Sequence, residues 1–192
     1  PFINPTLFKD RNFTIGLILV FTYGMLNITP TVLMPSMLQN LMGYPDSVIG
    51  ILLGARGAGM VVGFFLVGYM GKLDPRIGMI VGALGIGLSG WNMALFNLEV
   101  APWEVAMNGV IQGIGSGLMW VPLSIVAFAT LPVHLLPDAS SIFHLLRNFG
   151  SSIFISISVL AVVRTGRISY SELTENITPY PGVAELPQVT GS

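Results

Sequence analysis

Ser47–Met70 reads SVIGILLGARGAGMVVGFFLVGYM, an unbroken run of apolar and small residues with a single charge, Arg56, inside it. A membrane-crossing helix needs about 20 mostly apolar residues, and this run is long enough. It is too long for the alternating segments of roughly ten residues that mark a membrane barrel. Lipid offers no hydrogen bonds, so the backbone must satisfy itself as a helix. Four more stretches meet the same test, at roughly Phe13–Leu38, Ile77–Phe96, Trp103–Leu131 and Ala139–Val163. The sequence therefore predicts an all-α, polytopic transmembrane helical bundle. Five spans, about 13–38, 47–70, 77–96, 103–131 and 139–163, fall within residues 1–163. Residues 164–192 form a polar loop or tail.

Composition agrees. Hydrophobic residues are 53% of the chain, charged residues 9%, and mean hydropathy is +0.78. Soluble domains carry roughly a quarter charged residues, so this chain could not clothe a water-soluble surface. The net charge of −1 leaves no basic footprint for nucleic acid. With no Cys, disulfides and thiolate metal sites are excluded. Gly43-Tyr44-Pro45-Asp46-Ser47 reads as a turn running into a helix N-cap, and Lys72-Leu73-Asp74-Pro75-Arg76 as a tight charged loop. No signal peptide is visible, and the chain reads as a fragment of something longer.

Lys and Arg placement orients the bundle. Lys9 and Arg11 precede the first span, and Lys72 and Arg76 separate the second from the third. Both groups fall on one side, which the positive-inside rule makes cytoplasmic. Arg164 and Arg167 fall outside, so the balance is four against two.

Two arginines lie deep in spans. Arg56 is nine residues past Ser47 and Arg147 nine past Asp138, each about 14 Å along a helix rising ~1.5 Å per residue. A charge at that depth costs at least ~2.5–3.5 kcal/mol, and the side chain is too short to snorkel from there. All nine acids lie in loops, the tail or span ends. The arginines' partners are therefore carbonyls, amides and water, or acids on helices outside this chain. Polar residues also recur on single faces: Tyr23, Asn27 and Thr31; Asn108, Gln112, Gly115 and Met119; Ser140, His144, Arg147, Asn148 and Ser151. Such faces point at protein or a watery cavity, or serve hydrogen bonding between helices. His144 is the one histidine inside a span. Glycines spaced by four, Gly50/Gly54, Gly59/Gly63, Gly78/Gly82 and Gly109/Gly113/Gly117, suit close helix packing. Pro30, Pro35 and Pro122 interrupt spans, as kinks that shape a path or as tolerated bends.

Other patterns fail. Gly85-Ile86-Gly87-Leu88-Ser89-Gly90 fits a dinucleotide fingerprint but lies inside an apolar run with no strand before it. His134 and His144 have no further ligand nearby, so no metal or cofactor site is expected. A polytopic membrane enzyme would need a buried nucleophile–base or metal constellation, and none is present in the sequence pattern. A retinal protein would need a Lys within a span.

Gly43-Tyr44-Pro45 leading to Gly54-Ala55-Arg56-Gly57, then Asp74-Pro75-Arg76, form the first part of an ordered set of motifs. Gln112-Gly113-Ile114-Gly115-Ser116-Gly117 with Val121-Pro122-Leu123, and Leu146-Arg147-Asn148-Phe149-Gly150-Ser151-Ser152, complete it. In order and spacing the set resembles the major facilitator superfamily, more narrowly the EmrB/QacA group of fourteen-span drug:proton antiporters. The resemblance implies that these spans are the ninth to thirteenth of fourteen. The proton-handling acid would then lie in the first half, outside this chain. Ala55 stands where the family often has Pro, and Lys72 where the superfamily's loop motif has Asp. The implied function is proton-coupled multidrug efflux by alternating access in a bacterial inner membrane; an uptake carrier of the same superfamily is the alternative. Transport-cavity candidates are Tyr23, Asn27, Arg56, Asn108, Gln112, His144, Arg147 and Asn148, with Lys72, Asp74 and Arg76 in a cytoplasmic loop. Expected partners are a hydrophobic small molecule, protons, membrane lipid and the transporter's N-terminal half, with a periplasmic adaptor left open.

Overall fold

Asp10 closes a short 3-10 turn, Pro5–Lys9, and opens the first long helix, α1, Arg11–Asn40. Its Oδ1 accepts from the Asn12 and Phe13 amides, both at 2.9 Å, two of the N–H groups that a helix start leaves unpaired. The Phe13 amide and then the Thr130 hydroxyl hold the Asp10 carboxyl below its ordinary range. The computed structural model describes residues 5–40, 42–69, 74–97 and 100–176. Lys72 and Glu99 lie outside these residues, as does the tail beyond Asn176.

Gly43, with φ of 66°, turns the chain after α1, a backbone conformation open to glycine without cost. Helix α2 then spans Asp46–Tyr69. Asp74 caps α3, Pro75–Ala94, by accepting from the Arg76 amide at 3.1 Å. Pro75 fits the first helical position because its missing N–H would be unpaired there anyway. Helix α4, Pro102–Phe128, opens on a proline in the same way. A 3-10 turn, Val133–Leu135, leads into α5, Leu136–Asn176. Among the described residues, these five helices are each long and apolar enough to cross a membrane. Pro30 and Pro35 lie within α1 and Pro122 within α4, so the helices continue through all three.

Helix α5 passes Val163, where composition places the end of the span, and runs to Asn176. Polarity sets where lipid burial stops, whereas a helix stops where its hydrogen-bond ladder breaks. Propagation needs only one further bond per residue, and no proline follows Arg164 until Pro179. The chain divides into two units, Pro1–Ile155 and Ser156–Ser192; the first holds α1–α4 and the start of α5.

Within the first unit α4 is the most enclosed helix. In α4, 56% of the apolar window is buried, against 22–28% in α1–α3, so the others are arranged around it. Glycines set the approach. A Cβ on Gly63 of α2 would stand 2.6 Å from the Ile114 carbonyl oxygen of α4, and one on Gly82 of α3 would stand 2.6 Å from that of Gly115. Neither contact tolerates a side chain, and such close approach supplies the packing that lipid cannot drive. Gly59, Gly113 and Gly117 also sit at the α2–α4 seam. Gly50 and Gly54, which the spacing places among the packing glycines, have nothing within 4 Å of a would-be Cβ.

Two apolar clusters mark the ends. At one, Phe13 of α1 lies 6.2 Å from Phe128 of α4, and the Asn12 amide donates to the Val126 carbonyl. Gly78 of α3 meets Pro122 of α4 there too. At the other, Leu38, Ile49, Leu52, Val100 and Val105 pack together. The start of α1 therefore shares an end with the start of α3, and Arg11 shares it with Arg76. This is the alternation on which the charge argument rests.

Candidate functional site

Arg56 lies ten residues into α2, about 15 Å from its start at ~1.5 Å per residue. Its guanidinium is turned toward α1. Nη2 donates to both the carbonyl oxygen and Oδ1 of Asn27, each at 2.7 Å, and Nη1 donates to the Thr31 hydroxyl. No acid is among these partners. Hydrogen bonds to a charged group contribute about 1.5–3 kcal/mol each, so three offset an insertion cost of ~2.5–3.5 kcal/mol. The stripe Tyr23, Asn27, Thr31 exists because residues four apart share a helix face.

The polar line continues from Asn27. Its Nδ2 donates to the Tyr23 hydroxyl at 2.8 Å, and Tyr23 donates to the Ser116 carbonyl of α4 at 3.3 Å. Ser116 Oγ donates to the Gln112 carbonyl at 2.8 Å. Tyr23, Asn27, Asn108 and Gln112 are all buried. The Tyr23 ring lies 5.3 Å from Trp120, and the Arg147 guanidinium carbon 5.0 Å over the other ring system's centroid, that of Trp120 itself. Arg147 also donates from Nη2 to Asn148 Oδ1 at 3.4 Å. A guanidinium over an indole face is attracted by about 0.5–2 kcal/mol.

Close backbone contact holds Arg147 in this place. A Cβ on Gly24 of α1 would collide with the Arg147 carbonyl, and one on Gly150 would stand 2.5 Å from that of Phe21. Helices α1 and α5 thus touch one residue beyond Tyr23. The two arginines, nearly a hundred positions apart in sequence, end at opposite ends of one line: Arg56, Asn27, Tyr23, Trp120, Arg147.

The structure joins six of the eight cavity candidates, four directly and two through a neighbour or the backbone. Arg56, Asn27, Tyr23 and Arg147 belong to the line directly. Gln112 joins through its backbone, and Asn148 through Arg147. His144 is exposed, with its ring 6.0 Å from Trp120. Asn108 stands apart, accepting from Ser89 Oγ at its carbonyl, at 3.3 Å. Asp74 acts as the α3 cap, Arg76 is exposed beside it, and Lys72 lies outside the described residues. Among the described residues no group of three or more potential metal ligands forms.

Trp120 and Ser116 escaped the reading of the sequence, although a signal was there. Asn108, Gln112, Ser116 and Trp120 follow one another at intervals of four. The face read from the sequence runs instead through Gly115 and Met119, one position before Ser116 and Trp120.

Comparison with known proteins places the chain. It is 25% identical over 187 residues to the multidrug export protein EmrB of Haemophilus influenzae, covering 96% of this chain and 37% of that protein. It is 28% identical over 182 residues to EmrB of Escherichia coli K12, covering 94% and 36%. It is 26% identical over 183 residues to the fatty acid resistance protein FarB of Neisseria gonorrhoeae, again covering 94% and 36%. The chain thus spans little more than a third of the length of these relatives. Residues 2–166 match the family model of the Major Facilitator Superfamily. Five long apolar helices, and a match that runs through nearly all of them, make the chain a member of the Major Facilitator Superfamily.

Proposed function

We propose that the chain is part of a proton-coupled exporter of hydrophobic compounds, working by alternating access in a bacterial inner membrane. The observation that carries this reading is the line from Arg56 to Arg147, which crosses α2, α1, α4 and α5 deep within apolar helices. Polar groups at that depth are expensive, and in membrane proteins they mark substrate and ion pathways. Relatives named for multidrug export support the substrate class and direction. The spans contain no acid near mid-depth, so the proton carrier belongs on further helices of the same transporter, with which these five would share the cavity.

The test is export by the intact transporter carrying Arg147→Ala or Arg147→Lys. Lys keeps the charge but loses the planar fork that lies over Trp120. Export by both variants should fall by about tenfold or more, the effect of losing about 1.4 kcal/mol from the rate-limiting step. Both should remain in the membrane. Disappearance of Arg147→Ala from the membrane would assign the residue to folding instead. Normal export at normal abundance would overturn the proposal.

A further inference from the structure

A small cavity opens beside Arg56, between α1, α2 and α4. Its walls are mostly apolar, and its polar lining is Thr31, Arg56, Asn108 and Gln112. Two side-chain atoms on this lining are buried without a hydrogen-bond partner among the described residues, Arg56 Nε and Asn108 Oδ1. Asn108 is only 4% exposed, so bulk solvent does not serve it. A buried polar atom without a partner costs about as much as a lost hydrogen bond, and native structures rarely leave one.

The two atoms are complementary. Nε–H can only donate and Oδ1 can only accept. A group satisfying both must accept from one and donate to the other, which a hydroxyl or a water does and a carboxylate or an ammonium does not. Size then decides. The cavity offers about 10 Å³, close to the least that one water requires, and too little for a carbon-bearing ligand.

We infer that this cavity is a binding site for a single water, which accepts from Arg56 Nε and donates to Asn108 Oδ1. The water links α2 to α4 at a place where no direct side-chain bond joins them. It also connects two networks that are otherwise separate. On one side Ser89 of α3 donates to the Asn108 carbonyl; on the other Arg56 holds Asn27 and Thr31 of α1. With the water in place a polar seam runs through α3, α4, α2 and α1. The inference goes beyond the transport reading and does not depend on what is carried or in which direction.

The experiment is a structure of the intact transporter in lipid, at a resolution that shows ordered waters. One peak within hydrogen-bonding distance of both Arg56 Nε and Asn108 Oδ1 is expected. A dry cavity, or a direct Arg56–Asn108 bond, would overturn the inference. A second measurement uses thermal midpoints of Asn108→Leu, Arg56→Met and the double variant. Each single change strands the other partner, so the double variant should melt no lower than the worse single one. Strictly additive losses would overturn the water link. If Arg56→Met fails to fold, the map remains decisive.

Discussion

A guanidinium survives in the middle of an apolar helix only if its donors are met, and Arg56 shows how neutral groups can meet them. Asn27 is the key partner because it offers two oxygens on one residue, a carbonyl and an amide, both at 2.7 Å. Its amide nitrogen donates to Tyr23, so its orientation is fixed from both sides. Among the described residues, the Tyr23 hydroxyl ties this pair to α4 by a direct side-chain hydrogen bond. Tyr23→Phe should keep the ring beside Trp120 while unpairing Asn27 Nδ2 and removing the second hydrogen bond to the Ser116 carbonyl. A loss of about 1–3 kcal/mol is expected from stranding buried polar groups, read as a lower unfolding midpoint in detergent. An unchanged midpoint would mean that water replaces the hydroxyl. Arg56 and Arg147 stand out in the sequence as charges inside apolar runs, and Tyr23 as one of a stripe with Asn27 and Thr31 at intervals of four. The sequence left the arginines' partners open, since hydrogen bonds between residues 25 or more positions apart depend on helix rotation, which periodicity does not supply.

Helix pairing follows the small residues, but only some of them. Gly63 and Gly82 meet α4 backbone, whereas Gly50 and Gly54 meet nothing among the described residues. Identical spacing therefore has two outcomes, and the difference lies in which face the partner helix covers. Gly63→Leu should force α2 away from α4, with a cost of about 1–3 kcal/mol or more from overpacking. Gly54→Ala should leave the midpoint unchanged or slightly higher, because alanine is the better helix former by about 1 kcal/mol. Measured side by side in the intact transporter, equal effects from the two would contradict this seam. The helix bounds of α1–α4 lie within a few residues of the apolar runs in the sequence. The far end of α5 does not, because a polar helix and a polar loop share a composition and differ in whether anything breaks the ladder.

The bundle as a whole alternates direction, with the starts of α1 and α3 at one end and the α1–α2 turn at the other. We propose that the first end is cytoplasmic, since it carries Arg11 and Arg76. The chain has no native Cys, so single cysteines at Asp74 and Asp46, placed in an intact transporter freed of any cysteine elsewhere, report on the two ends. An impermeant thiol reagent added from outside should label the second and not the first. Labelling of Asp74→Cys alone would invert the orientation, and labelling of both would contradict the alternation. One property of this arrangement concerns time rather than space. Helices α2 and α3 lean on α4, yet both precede it in the chain. Synthesis runs from the N-terminus, so α2 and α3 enter the bilayer before the helix that joins them has been made. Their glycine faces meet α4 only once residue 102 and beyond arrive. The order in which these helices are made is therefore not the order in which these contacts form, and any pause ahead of Pro102 leaves α2 and α3 without that partner.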